Sequence, residues 1–386
     1  MNLLIISSTF PTSDADPVGG FVLDFCVRLA NSHKVTVLTQ NKAETYTIDK
    51  RINLVTFPWS GDKQPLSDLK FTNPFHLLHI LSLFRNARKA LKRIAATEKI
   101  DHCFALWAIP SGIGARFLFR RNQIPFDIWC LGSDIWKHKE NFFTSSLLKK
   151  ILREAKQVYG DGFKFCEEIE AFSGKSCKFL PSSRIIPKMV VTEEAESRKI
   201  FVFIGRYHIN KGPDVLLQAI AKLPKEVMQG SVFRFYGLGG MQQQMHEMSK
   251  EARLTNVEIH GVVDKDEIYG VIARAHFVII PSRIDSIPVI LSDTLQCGTP
   301  IIGADVGDLG EVIRKYKIGS TFARENSEDL CGKIVEAFYE RKEDYGEYIV
   351  EALKIFSVDV AVDSFSRNIR DNEKMNAQFS TIRNRS

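Results

Sequence analysis

HFVIIPSRIDSIPVILSDTLQCGTPIIGA, residues 276–304, reads as strand, loop, helix and strand. The apolar run before the Pro-Ser turn has the length of a buried strand, and Gly298 separates the helix from a second short strand at Pro300–Ile302. Two carboxylates, Asp285 and Asp293, lie eight positions apart around the helix start. Asp285 falls in the loop at the carboxyl end of the first strand, with the amides of Ser286 and Ile287 beside it, and Asp293 further along the helix. Open α/β sheets bind ligands at that edge. Helix-start N–H groups suit phosphate and a neighbouring carboxylate suits hydroxyls, so the pair points to a nucleotide sugar.

Upstream, KIFVFIGRYHINKGPDVLLQAIAKLP (199–224) reads as strand, glycine turn and a helix with Pro213 in its first turn. Arg206 and Lys211 bracket the turn. Two cations at such a junction can meet a diphosphate, Arg206 through its planar fork and Lys211 as a point charge. Each alone reads equally as a solvated surface charge; their place beside the carboxylate pair favours the ligand.

These stretches resemble the retaining glycosyltransferases of family 4, the glycosyl transferases group 1, with the GT-B fold. The resemblance covers most of the chain. It is carried by GRYHINKG, YGLGG (236–240), IHGVV (259–263) and the block from Pro281 through GTPIIGADVGDLGEVI, with weaker matches at Gly19-Gly20, LWAIPSG (106–112) and LGSDIW (131–136). It implies an α/β fold of two Rossmann-like doubly wound domains facing across a cleft, with the last helix returning to the first domain. The expected boundaries are 1–187 for an acceptor-binding domain, completed by 360–386, and 188–359 for a nucleotide-sugar-binding domain.

The same resemblance implies that Arg206 and Lys211 hold the donor diphosphate, that Asp285 touches the donor sugar and that Asp293 accepts hydrogen bonds from the ribose. Gly19 and Gly20 would admit phosphates to the backbone. Asp134, Gly237, Val263, Ser286 and Ile287 complete the expected donor contacts. No metal and no cofactor is expected beyond the nucleotide-diphosphate sugar as co-substrate. The chain departs from the family pattern in carrying aspartate, about 1.5 Å shorter, where glutamate is usual at both ends of the spacing. It also has Leu106 and Leu131 where many relatives have histidine.

Composition agrees. A chain of 386 residues with 44% hydrophobic and 25% charged residues suits a globular protein of two domains. No apolar run is long enough to span a bilayer, and MNLLIISSTF reads as a buried first strand rather than a signal peptide. Seven cysteines without a CxxC pair point to reduced thiols in a cytoplasm, not to zinc. LLIISS, VTVLT, INLVTF, HCFAL, FDIWCL and QVYGDG alternate with helices, and KIFVFIG, FRFYG, VEIHG, HFVIIPS and TPIIGA form a second set. Between them FLPSSRIIPKMVVTEEAES (179–197) has linker composition.

Residues 1–190 hold 27 Lys and Arg against 17 Asp and Glu, whereas 191–386 hold 25 against 29. The basic surplus gathers in FHLLHILSLFRNARKALKRIAA (75–96), RFLFRR (116–121) and SLLKKILREAK (146–156). In the first of these, helical spacing puts Phe75, Leu78, Leu81 and Leu83–Phe84 near an apolar surface with cations after them. That pattern fits an ordinary packed helix with a solvated end, or a peripheral face for anionic membrane and a lipid-linked acceptor. Nucleic acid is not expected, because no recognition motif accompanies the charge.

Asp14-Ala-Asp16 and Asp264-Lys-Asp266 are tripeptides of the kind that bind metals in the other large glycosyltransferase fold, but they arise easily in polar loops. GLGG (237–240) lacks the full dinucleotide fingerprint. Asp134 suits a cap on the turn after a strand as well as a donor contact. The expectation is therefore a cytoplasmic, metal-independent retaining hexosyltransferase, peripheral on the inner face of the membrane, acting on a lipid-linked or cell-envelope glycan. An epimerase on the same fold and a catalytically silent subunit are the alternatives.

Overall fold

The structure, a computed structural model, describes residues 1–11, 19–40, 49–62, 66, 69, 73–187 and 197–383. It divides into two compact units, Met1–Pro181 with Val358–Ser386, and Ser182–Ser357. Among the described residues each is a parallel sheet between helices, the Rossmann-like arrangement anticipated from the alternating pattern.

In the first unit the strands are β1 Asn2–Ser7, β2 Lys34–Gln40, β3 Ile52–Phe57, β4 His102–Leu106, β5 Phe126–Cys130, β6 Val158–Gly160 and β7 Cys177–Phe179. They pair in the order β3-β2-β1-β4-β5-β6-β7, with Leu4 beside Thr36 and Ile5 beside Phe104. The sheet is covered by α1 Gly20–Leu29, α2 Pro74–Thr97, α3 Ser111–Asn122, α4 Ser133–Lys139, α5 Phe142–Glu154 and α6 Phe163–Ser173. Strands buried on both faces need near-continuous apolar runs, which is why LLII and HCFAL do not alternate with polar residues. β7 was not anticipated: Cys-Lys-Phe is too short for a periodicity to show, and Phe179 was read as the start of the linker.

The second unit contains β8 Lys199–Ile204, β9 Ser231–Tyr236, β10 Val257–His260, β11 Phe277–Ile280, β12 Ile301–Ala304 and β13 Gly319–Phe322. Their order is β10-β9-β8-β11-β12-β13, so the direction of winding reverses between β8 and β11. The helices are α7 Pro213–Ile220, α8 Lys225–Gly230, α9 Gln242–Glu251, α10 Lys265–Arg274, α11 Val289–Gln296, α12 Leu309–Tyr316, α13 Ser327–Tyr339 and α14 Gly346–Leu353. β13, a four-residue edge strand starting at a glycine, was also missed.

The last helix, α15 Val358–Arg383, returns to the first unit, as the resemblance implied. Phe365 stacks on Phe104 with ring centroids 4.3 Å apart and lies against Phe25 and Tyr159. Arg28 on α1 pairs with Asp359, and Asn368 donates to the Tyr159 hydroxyl at 2.6 Å. All seven cysteines are free. Burial pushes the Cys297 thiol up to about 12, with Asp293 adding to the effect. Among the described residues no helix is long and apolar enough to cross a membrane.

Because Phe365 is fully buried, Phe365→Ala should cost about 3 to 5 kcal/mol of unfolding free energy. Urea denaturation followed by circular dichroism measures it; a loss below about 1 kcal/mol would show that α15 is not part of the folded unit.

Candidate functional site

The turn after β8 is built from close backbone crossings. Gly212 has φ +66°, and a Cβ there would stand 2.0 Å from the Pro281 carbonyl oxygen, in the loop after β11. A Cβ on Gly237 would stand 1.9 Å from the Gly205 carbonyl oxygen, and one on Gly307 2.0 Å from that of Asp285. The loops after β8, β9, β11 and β12 therefore touch main chain to main chain, at the point where the strand order reverses.

Tyr207, fully buried, anchors the middle of the β8 turn: its hydroxyl donates to the His260 carbonyl at 2.5 Å, and its N–H to Leu238 at 2.9 Å. The residues on either side, Arg206 and His208, are thereby turned outward. Arg206 is exposed and has no ion pair among the described residues. Lys211 instead donates to Asp285 Oδ2 at 2.5 Å, and Ser282 donates to the same oxygen at 2.9 Å. Asp285 Oδ1 makes no hydrogen bond among the described residues.

Arg283, which sequence reasoning passed over, braces these loops. Its Nη1 and Nη2 donate to Asp214 at 2.8 and 2.7 Å, its Nη1 also to the Ile209 carbonyl at 2.6 Å, and its Nε to Glu325 at 2.6 Å. Its backbone N–H reaches the Asn210 carbonyl at 2.7 Å. The Asp214 carboxylate, then burial working against it, set the guanidinium's pKa, with a net rise. The available signal was an arginine two residues before Asp285 and an aspartate directly after Pro213, both inside motifs read for other residues.

Asp293 is 2% exposed, on the second turn of α11, and faces Arg184 Nη1 at 3.4 Å. Arg184 comes from the stretch read as linker. That stretch is in part a strap on α11: Ser183 and Ser292 share a 2.5 Å hydroxyl contact, and Gln296 donates to the Arg184 carbonyl at 2.9 Å. Ser286 and Ile287 are buried in the loop before α11, and Val263 is half-buried in the loop after β10. Gly237 owes its identity to the close approach of the Gly205 carbonyl, and Gly239 to that of Tyr207, 2.3 Å from where its Cβ would be, while a Cβ on Gly240 would meet nothing within 4 Å.

In the first unit Gly19 has φ +82° and precedes α1, with the Thr9 carbonyl oxygen 2.9 Å from where its Cβ would be; Gly20 opens the helix. Asp134, expected on the donor, is an internal cap. It is 2% exposed, its Oδ2 accepting from Ala108 N–H at 2.6 Å and its Oδ1 from Leu131 N–H at 3.1 Å. Burial raises its pKa to about 6 although backbone N–H groups hold the ionised form. Asp14 and Asp16 lie outside the described residues, as does the side chain of Asp266. Glu154 links two of the three basic clusters: Arg120 pairs with its carboxylate, Arg116 Nη2 reaches it at 3.0 Å, and together they hold its pKa down at about 2.

Two family descriptions match this chain, "Glycosyl transferases group 1" over residues 187–352 and "Glycosyl transferase 4-like" over 13–161. The protein belongs to the group 1 glycosyltransferases and has the GT-B fold. It is similar to an uncharacterized glycosyltransferase of Methanocaldococcus jannaschii, 24% identical over 288 residues covering 72% of this chain and 77% of that one. In structure it resembles sucrose-phosphate synthase from Thermosynechococcus elongatus (TM-score 0.77, 16% identity, 97% and 100% of the two chains). It also resembles an Anabaena protein solved with UDP and glucose (TM-score 0.72, 12% identity, 96% and 100%).

The two Arg283 contacts to acidic side chains differ in burial, Asp214 being 10% exposed and Glu325 49%. Asp214→Ala should therefore cost about 3 to 5 kcal/mol by stranding the guanidinium, and Glu325→Ala less than about 1. Guanidinium chloride unfolding of the two variants compares them; equal losses would refute the brace.

Proposed function

We propose that the protein transfers a hexosyl group, with retention of configuration, from a nucleoside diphosphate sugar to a lipid-linked or cell-envelope glycan at the inner face of the cytoplasmic membrane. The observation that carries this is the cluster at the reversal of the second sheet: Arg206, without an ion pair among the described residues, Lys211, and Asp285, whose donors Lys211 and Ser282 both meet Oδ2. Arg206 and Lys211 take the diphosphate, and Asp285 Oδ1 accepts from a donor-sugar hydroxyl. The UDP and glucose found with the Anabaena neighbour support a donor of this class.

In the reaction the bond between the anomeric carbon and the phosphate oxygen breaks, its electron pair staying on the diphosphate. An acceptor oxygen bonds to the anomeric carbon on the same face and passes its proton to the departing phosphate. Negative charge grows on the phosphate as this happens, and cations already fixed there lower the barrier without reorganising. Lys211 is held by Asp285 before donor arrives, so its position is set by the fold. The ribose role assigned to Asp293 requires its carboxylate to receive the ribose while facing Arg184, and Asp293→Asn tests it by donor affinity.

Arg206→Ala should lower kcat/KM about 100-fold, the equivalent of about 3 kcal/mol at the transition state, with no change in Tm, because Arg206 supports no other side chain. Turnover within threefold of wild type, measured with a panel of nucleotide sugars, would remove Arg206 from the site. With cations supplying the charge, activity should persist in excess EDTA. Loss on chelation and recovery with magnesium or manganese would overturn the metal-independent mechanism.

A further inference from the structure

The first unit has a cleft at the carboxyl ends of its strands. Its walls are apolar: Leu38 and Phe57 from the ends of β2 and β3, Phe84 and Leu91 from α2, and Ile113 from α3. Ser7, Ser8, Gln40, Arg88 and Ser111 also line it. Ser7 donates to the Thr9 carbonyl at 2.7 Å and Gln40 to that of Ser8 at 2.5 Å, whereas Arg88 and Ser111 suit an anion. Arg88 sits over the Phe117 ring at 5.7 Å and makes no ion pair among the described residues. Ser111 opens the twelve-residue helix α3, is 4% exposed, and its hydroxyl has no hydrogen-bond partner among the described residues. A buried hydroxyl without a partner is costly unless a ligand or water meets it.

The cleft continues onto the surface of α2. Phe84, Arg88 and Leu91 lie on one helical stripe with Leu77 and Leu81, since these positions differ by three, four or seven. Leu77 is 40% and Leu81 64% exposed, flanked by Phe75 at 70% and Leu78 at 60%. An apolar track thus runs from solvent into the cleft and ends at a cation and a helix start. Arg116 and Arg120 are paired to Glu154, whereas Arg88 and its helix neighbours Arg85, Lys89 and Lys92 make no ion pair among the described residues. An apolar track ending in cations is complementary to a lipid with an anionic head.

Resting on the acceptor reading above, we propose that this cleft binds the hydrocarbon chain of a phosphate-headed lipid acceptor, with Arg88 and Ser111 at the phosphate. Farnesyl phosphate, farnesol and inorganic phosphate, each titrated calorimetrically into the full chain below the micellar threshold, test it. Farnesyl phosphate should bind saturably at one site, farnesol at least tenfold more weakly, and inorganic phosphate not measurably. Ala87→Trp, which fills the cleft, should weaken farnesyl phosphate at least tenfold. Arg88→Gln, at an exposed position outside the core, should reduce it to the level of farnesol.

Absence of saturable binding, wild-type binding by Arg88→Gln, or equal binding of inorganic phosphate would each overturn the proposal. Donor hydrolysis by the wild-type chain is measured separately without lipid. Lipid binding without any hydrolysis would sink the transferase reading and leave the cleft standing, and hydrolysis without lipid binding would do the reverse.

Discussion

The approach of three loops, main chain against main chain, underlies the site in the second unit. Gly212 meets the Pro281 carbonyl and Gly307 meets that of Asp285, each at a distance that no Cβ could tolerate. These crossings help bring Lys211 to 2.5 Å from a carboxylate 74 residues later in the chain. Because backbone rather than side chain makes the contact, the loops cannot drift apart by changing rotamers. Arg283 then adds fixed hydrogen bonds across the same junction. The guanidinium suits this place because its planar fork satisfies both Asp214 oxygens while a further N–H reaches the Ile209 carbonyl.

Charge is distributed over this frame in two ways. Asp214 and Arg283 neutralise each other out of water, with side chains 10% and 14% exposed, and serve the frame. Arg206 is left unpaired at the rim. Between them stand Lys211 and Asp285, paired but partly open at 26% and 17% exposure. A pair of that kind can exchange a partner for a ligand atom at small cost, whereas the buried pair beneath cannot. The order of burial therefore separates groups that hold the loops from groups able to meet a diphosphate and a hydroxyl.

Much of this was legible from sequence because it depends on local pattern. Unbroken apolar runs announce strands buried on both faces, and HINKGPD announces a turn followed by a helix. The two missed strands, β7 and β13, have three and four residues, too few for any period to register. Arg283 and Arg184 escaped for another reason: an arginine in a loop has no local signature, and its meaning comes from partners 69 and 109 positions away. Asp134 shows a motif that allows two roles, a cap or a donor contact: its carboxylate, 2% exposed, accepts from the Ala108 and Leu131 N–H groups, which is the capping geometry.

The short carboxylates also become intelligible. The main chain at Asp285 is pinned by Gly307, so the side chain must serve from where its Cα stands. One C–C bond, about 1.5 Å, separates aspartate from glutamate. At aspartate's length Oδ2 lies over its own loop, within reach of Ser282 at 2.9 Å, while Lys211 closes on it from the neighbouring loop. Shortening thus trades outward reach for a carboxylate fixed by two donors, with a single oxygen left to act. Asp293, equally short but on the helix wall against Arg184, lies closed where Asp285 lies open. The same substitution at the two ends of one spacing has therefore had opposite consequences, because the first sits on a pinned loop at the sheet edge and the second inside a packed helix face.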